Sequence, residues 1–259
     1  MKLINWAWLL AVILSFPSWA KSPYAHSPLD REVIHKKYYS LSYNEDHEQA
    51  NWVAYELNRN HLQNCTKRTN SFRTDPDIST GSATLADYKG SGFDRGHLVP
   101  AGDMKISKEA MRDTFVMSNM SPQPPRYNQG KWAQLENLAR AFAGKYEQTW
   151  IVTGPVLRDN LRTIGVDNQV SLPQEYFKVI LRKTNNKYEG IAFLMPITLP
   201  YNELTLYALD IESVENITGI DFFHFLPDHI EKEVERNYNE SEWDFKAKFN
   251  YLPCSSSAI

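Results

Sequence analysis

Cysteine is scarce in this 259-residue chain: Cys65 and Cys254 are the only two, and no Cys-x-x-Cys spacing occurs, which argues against a structural zinc site. In an oxidising compartment the two would be free to pair; the alternative is a pair of unpaired buried thiols, and sequence does not show whether they meet in space. Long apolar runs are missing after residue 20, so no later stretch spans a bilayer. An excess of basic charge is missing too, with 28 Lys+Arg against 31 Asp+Glu. That excludes a generic polycation: a nucleic-acid ligand would have to be held by a local basic groove, because the bulk charge would repel it weakly at a distance. Gly-x-Ser-x-Gly and His-Glu-x-x-His are absent, which removes serine esterases and zinc proteases, and Gly90-Ser91-Gly92 lacks the spacing and context of a dinucleotide loop. No internal repeat, low-complexity tract or Gly/Ser/Pro-rich linker divides the chain.

What is present begins with a targeting signal. Met1-Lys2 precedes an apolar stretch from Trp6 to Phe16, followed by Pro17-Ser18-Trp19-Ala20 with small residues suited to cleavage after Ala20. The run is shorter than the roughly 20 residues of a spanning helix. Residues 1–20 are therefore expected to be a secretory signal peptide, and residues 21–259 a single domain with its body at about 30–253 and a short exposed tail from Ser255 to Ile259. Removing residues 1–20 takes away Lys2 and leaves 27 basic against 31 acidic side chains, a net charge of −4. The mature protein is expected without a membrane segment, secreted or periplasmic.

Aromatic and β-branched residues concentrate at 38–43 and 52–57, with polar Asn44 to Gln49 between them, which predicts a hairpin. Further strands are expected at 149–153, 176–182 and 188–195. Ser107 can cap a helix through about Phe115, Asn128 can start another running to Phe142 with Gly144 as its stop, and two more fall at 213–218 and 228–236. The pattern is mixed α+β with a sheet at its core. In the helix from Asn128, residues Trp132, Leu135, Leu138, Ala139 and Phe142 recur at three- and four-residue intervals and define a buried stripe. Glu136 flanks that stripe, and Asn128 lies about 80° round the axis from it on a regular helix, so both can face one site.

Phe93-Asp94-Arg95-Gly96-His97-Leu98-Val99-Pro100 carries the strongest chemical signal. A neutral histidine can take a proton from water near physiological pH, and an arginine one residue from Gly96 offers a permanent bidentate cation to a phosphodiester. Asn119-Met120-Ser121-Pro122-Gln123 and Asn128-Gln129-Gly130-Lys131-Trp132-Ala133-Gln134-Leu135-Glu136 then supply amide and carboxylate oxygens, ligands that suit Mg²⁺. His97 is the expected base, Asn128 the direct metal ligand, Glu136 the carboxylate that orients water held by the cation, and Arg95 the clamp on developing charge. Asp94 is expected to hold local structure and Gly96 to permit close backbone approach. Lys67, Arg68, Arg73, Arg126 and Lys131 are further candidates for a basic groove.

These segments resemble the DNA/RNA non-specific endonuclease family, which includes secreted bacterial nucleases and mitochondrial endonuclease G. The match is carried by Asp-Arg-Gly-His at 94–97, Asn-x-x-Pro-Gln at 119–123 and Asn-Gln-x-x-Trp-x-x-Leu-Glu at 128–136, with weaker similarity over most of the mature chain. The resemblance implies a ββα-metal (His-Me finger) core set on a larger, mainly antiparallel sheet with flanking helices. It implies cleavage of DNA and RNA with little sequence preference, Mg²⁺ with Mn²⁺ as a substitute, 5′-phosphate products, and a protein inhibitor as a partner besides the nucleic acids. By the same resemblance His97 is the general base, Asn128 the metal ligand, Glu136 its supporting carboxylate and Asn119 a substrate-side residue. The family's further arginine before the Phe72 segment has Arg68 as its nearest counterpart, at a spacing that gives it no firm role. The competing class is a catalytically inactive nucleic-acid-binding protein on the same scaffold, against which the intact His97, Asn128 and Glu136 argue. Four Asn-x-Ser/Thr sequons, at Asn64, Asn119, Asn216 and Asn239, include one in the proposed site, so export without N-glycosylation is expected.

Overall fold

In a computed structural model of the chain, residues 24–198 and 203–255 are described. The expected signal peptide at 1–20 and the last four residues of the expected tail lie outside them. Nine strands build the main sheet and a separate two-stranded unit: β1 (Glu32–His35), β2 (Ser40–Asn44), β3 (Gln49–Leu57), β4 (Asp94–His97), β5 (Met120–Gln123), β6 (Gln148–Pro155), β7 (Glu175–Thr184), β8 (Lys187–Pro196) and β9 (Ala208–Leu209). Seven of them form one antiparallel sheet in the order β9-β8-β7-β6-β3-β2-β1, while β4 and β5 pair as a separate two-stranded unit. The mixed α+β class and the larger antiparallel sheet are as expected. The edge strands β1 and β9 escaped the sequence reading because four and two residues are too few for alternation to register.

Both faces of the sheet are covered, so its central strands read as near-continuous apolar runs rather than alternating ones. On β7, Tyr176 and Ile180 join the front core with Tyr55 and Ile151, whereas Phe177, Val179 and Leu181 join the back core with Trp52 and Val152. The main front helix, α2 (Ala133–Lys145), presents the expected stripe of Leu135, Leu138, Ala139 and Phe142, with Trp132 just before it. The back is closed by α3 (Ile211–Thr218), which Asp210 caps by accepting from the Ser213 amide, and by α4 (Asp228–Arg236). Ser107 caps a shorter helix, α1 (Lys108–Asp113), as its sequence suggests.

Two details of the central helix depart from expectation. Its backbone is already helical at Pro125–Tyr127, and Asn128 is a helical residue (φ −56°, ψ −51°) rather than a cap, lying in a wide π-type turn over Asn128–Trp132 where Gly130 leaves helical geometry. Gly144 does not stop the helix, which runs to Lys145, with the Tyr146 amide bonding to Phe142. The C-terminal segment returns across the front: Leu252 bonds to Leu62 and Asn64, and a disulfide joins Cys65 to Cys254 (Cα–Cα 4.7 Å). The pairing left open by sequence is thus made.

Candidate active site

The β4–β5 unit sets His97 at the end of β4. Its antiparallel register brings Arg95 opposite Pro122, Gly96 opposite Ser121 and His97 opposite Met120. β5 is tied to the main sheet by the Tyr176 hydroxyl, which bonds to Ser121 Oγ and donates to the Pro122 carbonyl (2.8 Å). Gly96 permits a close approach, as expected: a Cβ there would run into the buried Gln123 side chain. Asn119 does not reach the site. It is fully buried, its Oδ1 accepts from the Val99 amide (2.9 Å), and its Nδ2 donates to the carbonyls of Val99 (3.1 Å) and Thr114 (2.9 Å). Every polar atom of this side chain is spent on backbone, so it staples the loop after His97 to the start of β5, where a substrate contact was expected. The same burial leaves no room for a glycan on this sequon.

The His97 ring is wedged between aromatic neighbours, 4.8 Å from Phe115 and 5.8 Å from Phe72 between centroids, and is only 7% exposed. Its Nε2 has no hydrogen-bond partner among the described residues. Burial, reinforced by the Arg68 guanidinium and partly opposed by a hydrogen bond to the Arg95 backbone, depresses its pKa to about 3. The imidazole is therefore neutral at physiological pH, with a free ring nitrogen.

Asn128 Nδ2 donates to Asp94 Oδ2 (2.9 Å), which Gln129 Nε2 also reaches (2.8 Å). A carboxylate only accepts, so this bond fixes the amide's orientation and turns the Asn128 carbonyl oxygen away from Asp94, available as a hard donor. Asp94 thus sets the orientation of the Asn128 amide, a more specific task than sequence suggested. Glu136 is half-buried on α2, and burial pushes its carboxyl up while Arg140 and Lys178 oppose that. Lys178 on β7 is fully buried beneath the helix start, its Nζ 4.9 Å from the Trp132 ring and without a hydrogen-bond partner among the described residues; burial pushes its pKa down. Arg140 is anchored by buried Asp103, which also accepts from the Tyr55 hydroxyl (2.7 Å).

Arg95, His97, Asn128 and Glu136 line one cavity of about 430 Å³. The π-type turn makes the regular-helix angle between Asn128 and Glu136 inapplicable, yet the two still share that cavity. Arg95 is held by its guanidinium stacking 4.3 Å from the Phe72 ring. Arg68, given no firm role from sequence, lines the same cavity, as do Lys105 and Arg140, which sequence reasoning missed. Four cations thus surround one lining carboxylate, a local basic pocket within an acidic chain. Lys67, Arg73, Arg126 and Lys131 do not line it: Arg73 bonds to the Arg112 carbonyl, and Lys131 to Gln134. Spacing had offered a signal for Arg140, which lies one turn beyond Glu136 on the same helix. Lys105 carried none.

Comparison with known proteins agrees with this geometry. Residues 21–229 match the family model described as DNA/RNA non-specific endonuclease. Nuclease C1 of Cunninghamella echinulata var. echinulata is 35% identical over 212 residues, covering 74% of this chain and 83% of that protein. A nuclease of Nostoc sp. is 31% identical over 236 residues, covering 86% and 84%. Among solved structures, the crystal structure of an EndoG/EndoGI complex aligns with a TM-score of 0.69 at 27% identity, covering 75% of this chain and 86% of that one. The chain belongs to the DNA/RNA non-specific endonuclease family.

Proposed function

We propose that this nuclease hydrolyses phosphodiester bonds of DNA and RNA with His97 as the general base and one divalent cation held by Asn128 with Glu136 in support. The observation that carries the reading is that a neutral His97, its buried Nε2 without a hydrogen-bond partner among the described residues, lines the same cavity as Glu136 and an Asn128 amide oriented by Asp94. Hard oxygen donors of this kind, few in number and beside open cavity, suit Mg²⁺, which keeps several waters, and accept Mn²⁺. When bound, such a cation would neutralise charge on the scissile phosphate and the leaving oxygen. Nε2 takes the proton of the attacking water, while Arg95, held over Phe72, and Arg68 face the phosphate with permanent charge. Cleavage on the 3′-oxygen side leaves 5′-phosphate ends.

We further propose that residues 1–20 direct export and that the enzyme works outside the cytoplasm, where the Cys65–Cys254 disulfide would persist. No helix among the described residues is long and apolar enough to cross a membrane. A protein inhibitor fits by analogy with the EndoG/EndoGI complex. The test is degradation of plasmid DNA and of RNA with added Mg²⁺, with chelator, and with the His97→Ala variant. Loss of kcat by about 10²–10⁴-fold in the variant, with unchanged melting, is expected; full activity in His97→Ala or in chelator overturns the reading. Direct ligation of the products reads out their 5′-phosphates.

A further inference from the structure

A second cleft, of about 440 Å³, opens at the far end of α2. Arg59, Lys145, Lys248 and Phe249 line it, with Asp244 as its carboxylate. Asp244 is already engaged by Lys145 (2.8 Å), whereas Arg59 and Lys248 are exposed and no ion pair among the described residues engages either. A chain of ring contacts links this cleft to the catalytic one. The Arg140 guanidinium, which lines the catalytic cavity, lies 5.2 Å from the Phe249 ring; Phe249 packs edge-on against Tyr251 (5.0 Å); and Lys105, also in the catalytic cavity, sits 4.2 Å over Tyr251. Glu136 in the first cleft and Gly144 in the second are on the same helix, eight residues or about 12 Å apart at ~1.5 Å per residue. That is a reach of a few nucleotides.

The charge is not a general property of the surface. Across the sheet, residues 210–236 hold eight acidic and two basic side chains, and the mature chain is acidic overall. A basic track on the catalytic face of an otherwise acidic molecule matches a polyanion that must lie across that face. The track is also built to stay in place. The segment that carries Lys248, Phe249 and Tyr251 is fixed by the Tyr251 hydroxyl donating to the Gly102 carbonyl (3.0 Å), by backbone bonds of Leu252 to Leu62 and Asn64, and by the disulfide.

We propose that this cleft is a nucleic-acid subsite holding the strand that flanks the scissile phosphate, with Arg59 and Lys248 on its phosphates and the Phe249 ring beside its bases. The proposal rests on the nuclease reading for the identity of the polyanion. It makes the enzyme favour polynucleotides over minimal phosphodiesters, because only the former span both clefts.

The test pairs two measurements. Binding of a fluorescein-labelled single-stranded oligonucleotide to the metal-free protein in chelator is followed by anisotropy against salt, and steady-state kinetics compare a long oligonucleotide with bis(p-nitrophenyl) phosphate, which has no flanking strand. Arg59→Glu/Lys248→Glu is expected to raise KM for the oligonucleotide about tenfold and to lower the slope of log affinity against log salt by about 1.4, at roughly 0.7 per lost phosphate contact. Its kcat/KM on the small diester stays at the wild-type value. Lys232→Glu, on the acidic face, shifts oligonucleotide affinity far less than Lys248→Glu alone. Equal effects of Lys232→Glu and Lys248→Glu, or an unchanged oligonucleotide KM in the double variant, overturn the subsite and leave the nuclease reading standing. Should the wild type cleave no nucleic acid, the nuclease reading falls while the anisotropy still decides the subsite. If charge reversal lowers the melting temperature, the Gln variants at both positions replace it.

Discussion

Phe177 and Lys178 are neighbours on β7, both fully buried, and they face opposite sides of one sheet. Behind the sheet, Phe177 packs with Trp52, Val152, Val179 and Phe222 in an apolar layer. In front, Lys178 places an ammonium without a hydrogen-bond partner among the described residues beneath the cavity that His97 and Asn128 line, among Trp132, Glu136 and the Asp103–Arg140 pair. The layer around Phe177 follows the rules that make a sheet stable, whereas the front face breaks them at Lys178, beside the cavity that holds His97. Stability and activity should accordingly separate along one strand.

The largest effect that tests this separation is Phe177→Ala. A cavity in the back layer is expected to cost about 3–5 kcal/mol in chemical denaturation, with kcat per folded molecule unchanged; a specific loss of kcat would mean that the two faces are not independent. Next, Cys254→Ser is expected to lower stability by about 2–4 kcal/mol, since it frees a closure of 189 residues, and to weaken oligonucleotide binding through the loosened segment behind Phe249. Lys178→Met tests the front face. Replacing the ammonium relieves its desolvation but takes a counter-charge from Glu136, so stability should change little, while cleavage falls about tenfold. A destabilised but fully active variant would reverse the assignment of the two faces.

The smallest expected effect is a difference in pH dependence. His97 titrates near 3 when folded against an ordinary value near 6.5, so between these values the unfolded chain binds more protons and stability falls as pH falls. On the back, burial pushes Glu215 up to about 8, with Glu235 and Asp221 adding repulsion. There the folded state binds more protons between about 4.5 and 8, so stability falls as pH rises. Melting curves from pH 4 to 9 should show His97→Asn flattening the acid limb and Glu215→Gln the alkaline one, each by a few degrees; a crossed result would contradict the burial assigned to each.

Much of this was legible beforehand. The central strands, the helix stripe from Trp132 to Phe142, the helix capped by Ser107 and the helix near 228 follow from local pattern, because burial repeats with the period of the backbone. The convergence of His97, Asn128 and Glu136 on one cavity was anticipated from motif spacing together with family resemblance. The errors have a common source. Asn119 sits in a motif yet is consumed by Val99 and Thr114, and Asn128 resembles a cap yet lies inside a π-type turn. Whether a polar side chain serves the backbone or the site depends on which atoms face it across the fold.

By itself the sequence determined the class of the fold, the order of its main elements and the residue types able to move a proton and hold a hard cation. Tertiary structure alone decided that Arg68, Lys105 and Arg140 join them, that Cys65 meets Cys254 across 189 residues, and that Lys178 is buried under the site. Periodicity is a local property and is written in neighbouring residues, whereas charge, desolvation and cross-links act between groups that the chain brings together only when it closes.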